Sequence, residues 1–164
     1  MKYREYNRLA VVQYAKKWAF LRNPKYYNFD KVGGDCTSFA SQCILAGSLK
    51  MNYTKDLGWY YINGNNKSPS WSGVEYLHQF LITNKDIGPQ AIETTQNKIE
   101  VGDIAQLSFD GSKFEHTLVI VNIENQFTLR GIKIASHTWD SFNKPISEYH
   151  FEKIRWIHIE KVGS

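Results

Sequence analysis

Cysteine is scarce in this chain: its 164 residues include two, Cys36 and Cys43. They stand seven apart in a segment that reads as one helix. Two helical turns separate them by about 10 Å, beyond disulfide reach. A disulfide framework is thereby excluded, and the cysteines do not identify a compartment. Long apolar runs are missing as well. Stretches such as 118–121 span only a few residues, too short for a membrane-crossing helix. No run of five like charges occurs. The net charge of +4 reads as an ordinary solvated surface rather than a nucleic-acid-binding one. His-Glu-x-x-His spacing is absent, two cysteines seven apart are not a zinc pair, and no glycine-rich phosphate loop is present. No metal or other cofactor is expected. Residues 1–5 lead straight into an amphipathic pattern, which is not a signal peptide. The chain is expected in the cytoplasm, or in the cell wall or secreted if it is a domain of a longer protein.

What remains is the composition of a globular domain, 42% hydrophobic and 22% charged. A chain this long buries roughly two-thirds of its unfolded surface without staples. A single domain over 1–164 is expected, acting as a monomer. Residues 4–20 carry Val11, Ala15 and Trp18 at helical spacing, and Asn23-Pro24 stops that helix. An aromatic, glycine-containing loop covers 24–34. A second helix is predicted from Cys36 to Ala46, with Gly47 as its C-terminal cap. Residues 48–71 read as a long surface loop. Ser72-Gly73-Val74-Glu75 has the form of a capping box and opens a third helix over 73–83. The period then changes to that of strands at 104–109, 114–123, 132–137 and 154–159, with a turn at Asp110-Gly111. Helices followed by sequential strands predict an α+β domain with helices on one side of a curled antiparallel sheet.

The segment Gly33-Gly34-Asp35-Cys36-Thr37-Ser38 carries the most chemistry. It places a cysteine in the first turn of a helix, where unpaired N–H groups and the helix dipole favour a thiolate. The same N–H groups can hold an oxyanion. Cys43, mid-helix between Gln42 and Ile44, reads as core. A nucleophilic cysteine needs a base. Among five histidines, His116 opens the strongest strand directly after a turn, where it is held yet reachable. A third group should orient its ring. In a hairpin of 116–123 with 130–137, His137 would lie opposite His116, and Asp140 is the alternative.

Several short motifs occur in order along the chain: Tyr6-Asn7-Arg8; Gly34-Asp35-Cys36-Thr37-Ser38-Phe39-Ala40-Ser41-Gln42; Gly58-Trp59-Tyr60-Tyr61; Ser70-Trp71-Ser72-Gly73-Val74-Glu75; Val101-Gly102-Asp103-Ile104; Glu115-His116-Thr117-Leu118-Val119; and Ser136-His137-Thr138-Trp139-Asp140-Ser141. Together they resemble the family of Gram-positive bacteria described as "Putative amidase domain", which is similar to the NlpC-like and CHAP papain-fold hydrolases of cell-wall metabolism. The resemblance implies a papain-like fold, Cys36 as nucleophile, His116 as base, and His137 as the best match for the orienting residue, with Asp140 still open. It implies a capping or bracing role for Asp35. Asp35, Tyr27, Trp59 and Trp71 are the residues expected around the substrate, which would be a peptide or peptidoglycan stem. Two rivals remain at this point: an idle peptide- or glycan-binding module on the same fold, and a cysteine acyltransferase.

Overall fold

A computed structural model describes residues 1–164. In chain order the elements are β1 (Tyr3–Arg4), α1 (Arg8–Trp18), α2 (Cys36–Ser48), β2 (Tyr61–Asn63), β3 (Asn66–Lys67), α3 (Pro69–Ser72), α4 (Val74–Thr83), β4 (Gly88–Thr94), β5 (Ile104–Ser108), β6 (His116–Ile123), β7 (Ile132–Ser136), β8 (Ser141–Pro145) and β9 (Lys153–Gly163). Seven strands form one antiparallel sheet in the order β1-β9-β5-β6-β7-β8, with β4 also paired to β9. The α+β order is as the sequence suggests. No helix is long and apolar enough to cross a membrane.

Alternation along the strands separates two apolar layers. Ile104, Val119, Val121, Ala135, Ile157 and Ile159 face the helices, meeting Phe39, Cys43 and Ile44 of α2 and Val11 and Ala15 of α1. Ala105, Leu107, Leu118, Ile120, Ile132, Ile134 and Trp156 face the other way. There, 3-10 turns and loops supply Ile99, Ile146, Phe109 and Tyr149 in place of helices.

Several local expectations give way to tertiary contacts. The first helix starts at Arg8, not residue 4. Asn7 caps it, its side chain accepting from Ala10 N–H, and residues 3–4 are drawn into the sheet against β9. Ser72 does not cap α4. It ends the short α3, Gly73 takes the cap position, and Glu75 pairs instead with Arg155. The 48–71 segment is not one irregular loop. It holds the β2–β3 hairpin and α3, and it buries Trp59 and Trp71 completely. Two strands escape the sequence pattern. β4 is poor in strand formers (Gly88, Pro89, Gln90) but pairs along most of β9, and β8 is equally polar.

Gly47 is not a cap. Helix α2 continues through Ser48, and Leu49 ends it in the left-handed region at φ 56°. The glycine instead permits a close crossing, because a Cβ there would stand 2.6 Å from Val11 Cγ2 and 2.8 Å from Asn7 O. Gly47→Ala should therefore destabilise the fold by about 1–3 kcal/mol through overpacking despite alanine's better helix propensity. Urea unfolding measures this; unchanged or increased stability would refute the close-crossing role.

Candidate active site

Asp35 and Cys36 form the entry to α2. The loop before them turns through Gly33 and Gly34, both at positive φ (82° and 93°). Asp35 does not cap the helix with its side chain. One carboxylate oxygen accepts from Phe29 N–H at 2.9 Å, and the other accepts from His137 Nδ1 at 2.6 Å, with Arg22 Nε at 3.8 Å. His137 Nε2 donates to the Trp18 carbonyl at 2.8 Å, and the ring stacks on Phe39 at 4.0 Å. Both ring nitrogens are engaged, and Asp35 and His137 form a buried hydrogen-bonded pair.

Cys36 is 7% exposed. Its sulfur lies 3.7 Å from the Thr37 hydroxyl. Thr37 Oγ1 in turn meets Thr117 Oγ1 at 2.9 Å, so the start of α2 docks on the start of β6. His116, the residue before Thr117, is 1% exposed. Its ring is surrounded by Trp139 (5.4 Å), Tyr149 (5.7 Å) and Phe109 (6.1 Å). The Thr37–Thr117 contact sets the Cys36 end of α2 against the start of β6, where His116 precedes Thr117, and no hydrogen bond joins sulfur and imidazole.

Ser136 Oγ lies 3.1 Å from His116 Nε2 and 2.6 Å from the His137 carbonyl. A hydroxyl has one proton to give, and the shorter contact takes it. The serine oxygen therefore accepts from His116 Nε2–H, which leaves Nδ1 as the unprotonated, basic nitrogen. Sequence reasoning passed over this serine. It lies inside the Ser136-His137 motif, where the ionisable His137 and Asp140 are the stronger sequence signals.

Neither expected orienting group reaches the His116 ring. The β6–β7 ladder pairs Val119 with Ala135. Carried two residues further, that register sets Thr117, not His116, opposite His137. An offset of one residue turns a side chain to the other face of a sheet. His137 accordingly faces the helices, and Ser136 faces His116. Asp140 binds Arg22 through both oxygens (2.9 and 3.0 Å), and Arg22 also holds Asp30. Of the residues expected around substrate, Trp59 and Trp71 are core rather than cleft. Trp59 Nε1 donates to Ser41 Oγ, and Ser41 Oγ donates to the Trp71 carbonyl, bracing the back of α2. Tyr27 is about half exposed, edge-on to Phe29. Asp35 is fully engaged inside the protein.

Burial decides the protonation state of the pair. Helix dipole and N–H groups lower a cysteine pKa by an amount worth at most ~2 kcal/mol, whereas full desolvation can move a pKa by several units. At Cys36 desolvation wins and the thiol is pushed up, against the Thr117 and Thr37 groups that lower it. This overturns the sequence expectation of a depressed thiol. At His116 desolvation, with a smaller contribution from the Lys144 charge, pulls the pKa down to about 4. The resting pair is a neutral thiol and a neutral imidazole.

The remaining motifs lie elsewhere. Tyr6 OH donates to the Gly102 carbonyl. Arg8 donates to Asp103 and to the carbonyls of Val101 and Ile159, and Asp103 also accepts from His158 Nδ1. This clasp fastens the N-terminus to β5 and β9 beside an open concavity of about 880 Å³ that does not include Cys36. No group of three or more His, Cys, Asp or Glu side chains is placed to hold a metal ion.

Residues 5–160 fit the family described as "Putative amidase domain". The chain belongs to that family. It is similar to two proteins of Bacillus subtilis (strain 168): "Uncharacterized protein YhbB", 33% identical over 71% of this chain and 37% of the relative, and "Uncharacterized protein YjcM", 24% identical over 85% and 32%. The chain spans about a third of the length of these curated relatives. No solved structure gives a significant match. Membership in an amidase family points to amide-bond hydrolysis.

Two measurements check the electrostatics. Iodoacetamide should modify Cys36 ahead of the fully buried Cys43, with a rate that climbs through and beyond the ordinary thiol range near pH 8.5. A rate already at its plateau near pH 6 would instead reveal a thiolate–imidazolium pair. His116 has a folded pKa below its unfolded value of about 6.5. It therefore contributes stability that is present above pH 6.5 and lost as pH falls toward 4, worth roughly 3 kcal/mol. His116→Gln should flatten that part of the stability–pH curve, and identical slopes in the two proteins would contradict the assignment.

Proposed function

We propose that the chain is a cysteine-dependent amidohydrolase with a papain-like arrangement of nucleophile and base. The observation that supports this reading is the docking of the Cys36 end of α2 on β6 at Thr117, the residue after His116. His116 Nδ1 takes the thiol proton as sulfur attacks the amide carbon. The carbonyl π electrons move to oxygen, and the N–H groups of Thr37 and Thr117 face the resulting negative charge. Collapse breaks the C–N bond, the imidazolium protonates the leaving amine, and a thioester remains on Cys36. Water, deprotonated by the same Nδ1, releases the acid. Ser136 holds the ring in the tautomer this cycle requires.

A peptide amide of the cell wall is the leading substrate, by analogy with the NlpC-like and CHAP hydrolases that the motifs resemble. One observation favours the rival reading of a binding module without turnover: Cys36 and His116 are almost wholly covered, and none of the surface concavities includes either. Trp139, 62% exposed and edge-on to His116, is the obvious cover. It sits with Thr138 on a turn in which both residues have positive φ. Incubation of the wild type, Cys36→Ala and His116→Ala with muropeptides and a peptide library, read by mass spectrometry, separates the two. Cleavage by the wild type should fall by at least about 10³-fold in either variant. Binding without wild-type products, or equal products from all three proteins, would sink the hydrolase.

A further inference from the structure

A continuous chain of hydrogen bonds crosses the sheet from the surface to the Cys36 sulfur. Arg155, Gln106 and Thr117 are cross-strand neighbours on β9, β5 and β6. Arg155 holds the exposed Glu75 with its Nη groups (3.0 and 3.4 Å), and its Nε donates to Gln106 Oε1 at 2.8 Å. Gln106 Nε2 donates to the Val74 carbonyl at 3.0 Å and to Thr117 Oγ1 at 3.2 Å. Thr117 Oγ1 meets Thr37 Oγ1 at 2.9 Å, and Thr37 Oγ1 lies 3.7 Å from Cys36 Sγ. Gln106, Thr117 and Thr37 are all buried.

Proton counting gives this chain a direction. A guanidinium has donors only. Arg155 therefore fixes one end of the Gln106 amide as oxygen, and the Val74 carbonyl independently fixes the other end as NH₂. Thr117 Oγ1 accepts from Gln106 and has a single proton to give, for which the Thr37 oxygen is the acceptor. Thr37, having accepted, gives its own proton to the sulfur. The reverse direction would aim the Thr117 O–H at the Gln106 NH₂, two buried donors facing each other, which is costly. With sulfur as acceptor, the thiol's own proton is not spent on Thr37. Against the burial that pushes the Cys36 thiol up, the Thr37 hydroxyl is among the groups that lower it.

We propose that Thr37 is a catalytic residue whose hydroxyl donates to the Cys36 sulfur as it ionises, and that Gln106 is the positioning residue that aims this hydroxyl. The assignment rests on the cysteine-hydrolase reading of the same site. The Thr37 proton stays on its oxygen. The Cys36 proton passes to His116 Nδ1, and the sulfur electron pair so released forms the bond to the amide carbon. A hydrogen bond to an ionised acceptor is about twice as strong as one between neutral groups. The Thr37 contact therefore strengthens as the thiol loses its proton and favours the reactive form.

The pH dependence of Cys36 alkylation by iodoacetamide reads this directly. Thr37→Val keeps the shape and removes the donor; it should move the profile up by about one pH unit, slowing alkylation at pH 8 about tenfold. Thr37→Ser restores the hydroxyl and should return the rate to within about twofold of wild type. Gln106→Glu keeps the acceptor for Arg155 but replaces the donor, so Thr117 turns toward it and Thr37 turns away from the sulfur. It should shift the profile as Thr37→Val does, yet add almost nothing in a Thr37→Val chain, whereas a plain charge effect would be additive. If Thr37→Val does not fold, Thr37→Ala supplies the same comparison. Asp35, whose charge opposes ionisation of Cys36, is left in place throughout. An unmoved profile without the Thr37 hydroxyl, or no recovery in Thr37→Ser, would overturn the role of Thr37. Additive shifts would overturn that of Gln106. These profiles need no turnover, so such results leave the hydrolase reading standing. Equal amide products from the wild type and Cys36→Ala would instead sink that reading, and the catalytic role of Thr37 with it.

Discussion

The buried pair of Asp35 and His137 governs how this domain is put together. Four segments meet there: the end of α1 through the Trp18 carbonyl, the aromatic loop through Phe29 N–H, the start of α2 through Asp35, and the end of β7 through His137. Phe39, one turn into α2, closes the site by stacking on the imidazole. A buried polar pair is weak support for stability as such, because desolvation offsets most of the attraction. Its value here is positional. With both carboxylate oxygens and both ring nitrogens occupied, the first residue of α2 has little freedom to rotate or slide, and that residue is Cys36.

The consequences for chemistry follow from what this anchoring leaves over. His137 is spent on structure, so it cannot also orient His116, and the much weaker Ser136 hydroxyl takes that role. A serine fixes the tautomer without adding charge. Together with burial, this keeps the imidazole neutral and its Nδ1 available. The cysteine is neutral for the same reason. A pair that rests uncharged in a covered site suits a mechanism in which proton transfer and attack occur together once substrate displaces the cover. The turn at Thr138 and Trp139 has positive φ at both residues, and Arg22 ties its far end through Asp140.

Much of this could be read from the chain. The glycines, Asp35 and Cys36 mark a helix start by local rules, and the β-branched run after His116 makes a strand whatever surrounds it. Both survive into the structure. What was illegible depended on partners distant in sequence. β4 exists because β9 offers a long edge, not because Gly88-Pro89-Gln90 favours extension. The role of His137 turned on a register offset of one residue, set by the irregularity between Ile120 and Asn122 and by the Asn125–Gly131 turn. The tryptophans of the 48–71 segment look like a binding surface until the hydroxyl of Ser41, on α2, is seen to hold both. The direction of the Cys36 shift was hidden for a related reason: a helix start is visible in sequence, whereas the depth at which it is buried is not.

In the proposed reaction His116 is a neutral base whose Nδ1 takes the proton of Cys36. Imidazole 15N chemical shifts measure this directly in the resting protein. Near pH 6 the His116 ring should be protonated only at Nε2, with an Nδ1 resonance that moves when Cys36 is alkylated. An imidazolium, the opposite tautomer, or an Nδ1 signal indifferent to the state of Cys36 would contradict it.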